Sequence, residues 1–169
     1  MLSGTDEGSP IRAEIHLRDW SQPVETGSAF ADLLLTSPPY ADAIDYTLAQ
    51  RLSLYILGYD QDEIARLVAG EIGARRKRFS SVSRTRWSEQ LCAALETQLT
   101  WVKPEGAVCL VLPHKDSGRS GGEDDLKATL LRLGWEQFFA KDRSIHQSHT
   151  RQSWTSIKKE TILAFKKAA

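Results

Sequence analysis

The sequence predicts an α/β protein that forms the second half of a doubly wound sheet, and three observations carry that expectation. Short apolar runs at Asp32 to Thr36, Ala107 to Leu112 and Thr161 to Phe165 alternate with longer segments of helical period. The first of these runs ends in Ser37-Pro38-Pro39-Tyr40, a stiff polar loop at the strand end where open α/β sheets place their ligands. Glycines stand where the helical patterns stop. The 169 residues suffice for a single domain with a sizeable core.

Taken in order, Ala13 to Leu17 alternates apolar and polar residues and reads as a strand, with Asp19 just past its tip in Arg18-Asp19-Trp20. Asp32 to Thr36 is the second strand. Residues 43 to 58 and 61 to 72 have helical spacing, with Leu48, Leu52, Tyr55 and Ile56 on one stripe and Ile64, Leu67 and Val68 on another; Gly58 and Gly73 are stops. These helices and the basic run after them make an insertion at about 41 to 103. Leu91, Leu95 and Leu99 recur every fourth residue from Trp87 to Trp101, a helix closed by Lys103-Pro104-Glu105-Gly106. Ala107 to Leu112 is an apolar strand. The Gly/Ser-rich Ser117 to Gly122 reads as a flexible loop, with a cofactor-binding loop of a circularly permuted domain as the alternative, followed by a helix from about Asp124 to Leu133 that Gly134 ends. Strands follow at Trp135 to Ala140 and Thr161 to Phe165, and the Ser, Thr, Gln and His-rich spacer Ser144 to Ser156 between them reads as a long loop over the active face.

Composition narrows the class without choosing one. Cys92 and Cys109 lie far apart in apolar-patterned segments and read as buried free thiols rather than a disulfide framework. No stretch approaches the roughly 18 apolar residues of a membrane span, and Met1 to Pro10 is too acidic and polar for a signal peptide, so no membrane partner is expected and the cytoplasm is the default. His114 reads as structural. His146 and His149 lack nearby Cys, Asp or Glu companions, so no metal is expected. Net charge is zero but unevenly spread: residues 1 to 74 carry −8, whereas 75 to 86 hold six basic residues and no acidic one. Arg75, Arg76, Lys77 and Arg78, with Arg84 and Arg86, read either as a phosphate-contacting loop or as a solvated surface run.

The proline pair has direct physical consequences. Each ring fixes its own φ and pushes the preceding residue into extended backbone, so Ser37 and Pro38 are held out of the helical region. Neither proline has an N–H, which leaves carbonyl acceptors beside a serine hydroxyl and an aromatic ring. Such a set suits a planar base with an exocyclic amine.

Thr36-Ser37-Pro38-Pro39-Tyr40 resembles the catalytic motif of the S-adenosylmethionine-dependent DNA methyltransferases that modify an exocyclic amino nitrogen. The serine version with a following tyrosine most resembles the cytosine-N4 branch. Ala43-Ile44-Asp45-Tyr46, Leu52-Ser53-Leu54 and Leu57-Gly58 resemble a helical segment of these DNA modification methylases, and Lys159 to Phe165 is similar to their last strand. The resemblance implies a Rossmann-like fold, S-adenosylmethionine as cofactor, DNA as partner and a place in a restriction–modification system. It implies that Ser37 and the Pro38 carbonyl accept the two amine hydrogens, leaving the nitrogen lone pair facing the methyl sulfonium, so that rate comes from orientation and placed dipoles. Tyr40 would stack on a base extruded from the helix. Asp19 matches an acidic residue near the cofactor adenine, with a turn cap as its structural alternative, and Trp20 would flank the same ring or sit in the core. Asp45 and Tyr46 either border the base pocket or pack the helix.

The resemblance covers only the later part of the family domain. The Gly-rich loop and the acidic ribose contact that belong to the earlier part are not found ahead of Ala13, so the expectation is a partial domain whose N-terminal Gly-rich half is missing. It would act as a fragment or split subunit, with a complementary polypeptide or self-association supplying the rest. An RNA base-amino methyltransferase, and a catalytically silent nucleic-acid-binding subunit or gene fragment, are the alternatives.

Overall fold

The structure, a computed structural model, describes residues 13–16, 19, 21–23, 29–40, 45–73, 81–114, 123–144 and 159–168. Its centre is a four-stranded mixed sheet in the order β1 (Ala31–Thr36), β2 (Val102–His114), β4 (Lys159–Lys167), β3 (Trp135–Ser144). β1 and β2 are parallel, and β4 runs antiparallel to both β2 and β3. The last strand is therefore inserted between two strands that point the same way.

Five helices accompany the sheet among the described residues: α1 (Tyr46–Ala49), α2 (Arg51–Ile56), α3 (Gln61–Gly70), α4 (Ser81–Leu99) and α5 (Glu123–Arg132). Leu91, Leu95 and Leu99 of α4, with Leu126 and Leu130 of α5, bury their leucine stripes on one face of the sheet. That face presents Val108, Leu110 and Leu112 of β2 opposite Phe165, Leu163 and Thr161 of β4. Trp135 closes the core at the start of β3. The period of 3.6 in the helices and of 2 in the strands meet here, as the sequence predicts. α4 and α5 both belong to this single face.

Several expectations are corrected. Ala13 to His16 forms no strand: no described strand pairs with it, and Ile15 is 95% exposed. Alternation without a neighbouring strand does not make a ladder. The helix over 43 to 58 is interrupted at Gln50, which leaves α1 and α2 short, and the Leu48, Leu52, Tyr55 and Ile56 stripe is exposed rather than packed. Short helices draw their stability from packing, and this stripe stands largely in solvent. α3 is better specified by its own ends, because Asp60 accepts from the Glu63 N–H while the Glu63 carboxylate accepts from the Asp60 N–H, each at 2.8 Å. α4 starts at Ser81, so the backbone of Arg84 and Arg86 is helical and not part of a loop. Both cysteines are free, but half-buried rather than enclosed.

Lys103-Pro104-Glu105-Gly106 does not separate α4 from β2 but lies inside β2 as a bulge. Ala31 pairs with Val102 while Leu33 pairs with Ala107, which leaves the intervening residues of β2 looped out. Lys103 Nζ clamps this bulge to Asp32 Oδ1 at 2.7 Å. Gly106 is required by close approach: a Cβ there would lie 2.7 Å from Val102 Cγ1 and 3.0 Å from the Asp32 carbonyl oxygen.

Candidate functional site

β1 ends at Thr36, and Ser37-Pro38-Pro39-Tyr40 follows it out of the sheet with Ser37 exposed, Pro38 buried and Pro39 and Tyr40 half-buried. The loop is pinned from beneath by α4. The indole N–H of the buried Trp87 donates to the Pro39 carbonyl at 3.3 Å. The Pro39 carbonyl lies past the end of β1, outside the strand ladder, and the tryptophan satisfies it.

A chain of oxygens runs from this loop into the sheet. Ser37 Oγ lies 3.1 Å from the Tyr40 hydroxyl, which donates to Glu160 Oε1 at 2.7 Å. Arg143 donates to the other carboxylate oxygen, Oε2, from Nε at 2.7 Å and from a terminal nitrogen at 2.5 Å. The topology explains why a residue 120 positions later reaches Tyr40. Because β4 is antiparallel, its first residues lie beside the last residues of β2 and β3, with Glu160 opposite Pro113 and Arg143. The carboxylate is buried, and the guanidinium and phenol satisfy it. Burial pushes the Tyr40 phenol up to about 12, against a lowering contribution from Ser37 and a further raising one from Glu160. Tyr46 stands close by; burial also raises its phenol, and the Tyr40 backbone N–H donates to it.

Beside the loop, a cleft of about 640 Å³ runs along the free edge of β1. Phe30, Leu34, Leu91 and Leu95 give it apolar walls, and Asp19 and Ser37 stand on its polar margin. Its size falls in the roughly 300–1,000 Å³ of small-molecule sites. Asp19 Oδ1 accepts from the Ser21 hydroxyl at 2.6 Å and the Ser21 N–H at 3.0 Å, and these bonds hold its carboxyl below the usual carboxylate range. It is thus a turn-forming residue and a cleft residue at once.

The structure brings Ser37, Pro38, Pro39 and Asp19 to one cleft, with Tyr40 behind Ser37. Trp20 and Arg75, Arg76, Lys77 and Arg78 lie outside the described residues, as do the Ser117 to Gly122 loop, His146 and His149, and nearly all of the spacer after β3; of Arg84 and Arg86 only the backbone is described. Three residues of the site escape sequence reasoning: Trp87, Arg143 and Glu160. Glu160 had a weak signal, as one carboxylate at the head of an apolar strand.

No protein-family model matches the sequence, and no curated protein is significantly similar to it. Among solved structures, the chain is similar to a Thermus thermophilus protein provisionally named a DNA modification methylase, at 14% identity, with a TM-score of 0.47 over 86% of this chain and 48% of that one. The same protein in complex with S-adenosyl-L-methionine gives 15% identity and a TM-score of 0.46, over 86% and 51%. A provisionally named methyltransferase of Thermoplasma acidophilum matches at 12% identity with a TM-score of 0.30, over 84% and 70%. The chain spans about half the length of the Thermus protein.

Proposed function

We propose that this chain carries the target-base side of an S-adenosylmethionine-dependent methyltransferase that acts on an exocyclic amino group in DNA, cytosine N4 being the target. The observation that carries this reading is Ser37-Pro38-Pro39-Tyr40 itself, at the carboxyl end of a parallel strand, pinned by Trp87 and opening on a cleft. The cofactor, when bound, supplies an electrophilic methyl group. Phe30 and Asp19 offer its adenosine part a ring and a carboxylate, and the cleft has the volume for it. Glycine, which would let backbone N–H groups approach the methionine carboxylate, is missing from the cleft walls among the described residues. We assign that contact to polypeptide outside this half, whether a complementary chain or a second copy.

The residues present would work by placement. Ser37 Oγ and the Pro38 carbonyl accept the amine hydrogens, which draws the nitrogen out of conjugation and leaves its lone pair facing the methyl donor. Tyr40 lines the base side and holds Ser37, and the basic run from Arg75 to Arg86 contacts phosphates. The methylated nitrogen, cationic after transfer, then releases one proton to water at the mouth of the cleft. Methyl transfer from labelled S-adenosylmethionine to DNA, by the protein recovered with its native partners, tests the reading; transfer that survives unchanged in Ser37→Ala would end it.

A second reading has its own support. The cleft lined by described residues offers no glycine for the cofactor, which suits a nucleic-acid-binding subunit that performs no transfer by itself. Titration calorimetry separates the two: micromolar binding of S-adenosylmethionine to the isolated chain would exclude both the silent subunit and the need for a partner.

A further inference from the structure

Glu160 belongs to none of the roles assigned so far, yet it is a buried carboxylate tied to the motif loop. We propose that Glu160 is a positioning residue that sets the direction of the Ser37–Tyr40–Glu160 hydrogen-bond chain, so that Ser37 presents lone pairs, not a proton, to the substrate amine. The proposal rests on the methyltransferase reading above and deepens it.

The argument is one of donors and acceptors. Arg143 offers only N–H donors and occupies Oε2 with two of them, which fixes the rotation of the carboxylate. An ionised carboxylate can only accept, so Oε1 takes the Tyr40 proton at 2.7 Å. With that proton spent, the Tyr40 oxygen can only accept, and the Ser37 hydroxyl 3.1 Å away must donate to it. Both lone pairs of Ser37 Oγ then remain for the amine hydrogens. A serine free to rotate would instead donate to the nitrogen lone pair, which is the pair the reaction needs. Arg143 acts one step further back, through Glu160.

Glu160→Gln makes the idea testable, because an amide NH2 group turned toward Arg143 would set donor against donor. The amide oxygen of Gln must face the guanidinium, which turns its NH2 group toward Tyr40. Tyr40 would then accept from the amide and donate to Ser37, and the chain runs backwards with almost no change in shape. Removing Arg143 as well frees the amide to flip and present its oxygen to Tyr40. The prediction is an inverted pair: Glu160→Gln loses at least about tenfold in kcat with little change in the KM for DNA, and Glu160→Gln with Arg143→Leu recovers part of that loss. A carboxylate that merely joined β3 to β4 would make the double variant worse than the single one, and that result overturns the proposal. So does a wild-type rate in Glu160→Gln. Should Glu160→Gln fail to fold, Tyr40→Phe keeps the ring and removes only the middle oxygen; it must lose kcat in the same way, and a wild-type rate there overturns the chain.

A readout that needs no turnover separates this inference from the function on which it rests. The Raman doublet of tyrosine, taken as a difference against Tyr40→Phe, reports whether the phenol is a strong donor. It should report a strong donor in the wild-type chain and a much weaker one in Glu160→Gln. An unchanged doublet overturns the proposal. A changed doublet in a protein that transfers no methyl group supports the hydrogen-bond direction and removes the methyltransferase reading instead.

Discussion

The two sides of the sheet's long axis differ in kind. Over β2 and β4, with Trp135 at the start of β3, one face carries a closed helical layer, and Val108, Leu130, Leu163 and Phe165 are essentially without exposed surface. At β1 the same layer thins into the open cleft, and the strand leaves Leu33 and Leu35 54% and 65% exposed. The α1 to α3 segment joins this open side and exposes its own leucines. The motif loop sits at the boundary, rooted in the closed side through Trp87 and Glu160 and facing the open one through Ser37. That division suits a site that needs rigid backing and a free mouth.

The sharpest way to break the comparison is to make the same truncation on both sides. Leu163→Ala empties a fully enclosed position, and a loss of about 2–5 kcal/mol in unfolding free energy is expected. Leu52→Ala, at a side chain 74% exposed, should change stability by no more than about 0.5 kcal/mol. Equal effects in urea denaturation would mean that α2 is packed in solution and that the open side is closed by contacts within the chain.

How much of this was legible in the sequence follows the same division. Where one periodicity meets another, reading succeeds: Leu91, Leu95 and Leu99 are all buried, and each strand beyond residue 100 contains the expected run. On the open side it is mixed: β1 and α3 fall where the pattern puts them, and the other two expectations fail. Ala13 to Leu17 has the alternation of a strand and Leu48 to Ile56 the stripe of a helix, yet burial there depends on a partner surface, which local pattern does not encode. The motif loop was readable because two prolines restrict backbone whatever surrounds them. Glu160 and Arg143 were not, since their meeting with Tyr40 depends on β4 entering the sheet antiparallel between β2 and β3.

The junction between the two sides offers the next largest effect. Gly106→Ala would drive a methyl group into Val102 and the β1 backbone, and the β1–β2 pairing must shift to admit it. A loss of about 1–3 kcal/mol is expected from such overpacking. If the bulge is what aims β1 at the cleft, methyl transfer in this variant should fall by more than its residual folded fraction explains.

Ser37→Ala tests the open mouth without touching the closed core. Methyl transfer should fall at least about tenfold, which is about 1.4 kcal/mol of barrier. Thermal unfolding should be nearly unchanged, because Ser37 is exposed. A matching loss of stability would move Ser37 from the mouth to the scaffold.

Neutralising Arg75, Arg76, Lys77 and Arg78 addresses the basic segment that leads into α4. DNA affinity should weaken and its log–log dependence on salt should flatten by a slope of about 0.9 for each phosphate no longer neutralised, with little change in sequence preference. An unaltered salt slope would assign the run to solvated surface.

The smallest effect concerns the boundary itself, through the titration of Tyr40. Its phenol is raised from an ordinary value of 10.0 to about 12, chiefly by burial, so the folded chain favours the neutral form. For a folded value above the unfolded one, the stabilising contribution is complete below pH 10 and is lost as pH rises from 10 to 12. Because the phenol is only half-buried, solvent screens it and the contribution is small. It should appear as a steeper fall of the unfolding midpoint across that interval in the wild-type chain than in Tyr40→Phe. Phenolate absorbance should show the same tyrosine ionising last in the folded protein. If it ionises with an exposed tyrosine near pH 10, the Tyr40 hydroxyl is not held between Ser37 and Glu160, and the loop is open on both sides.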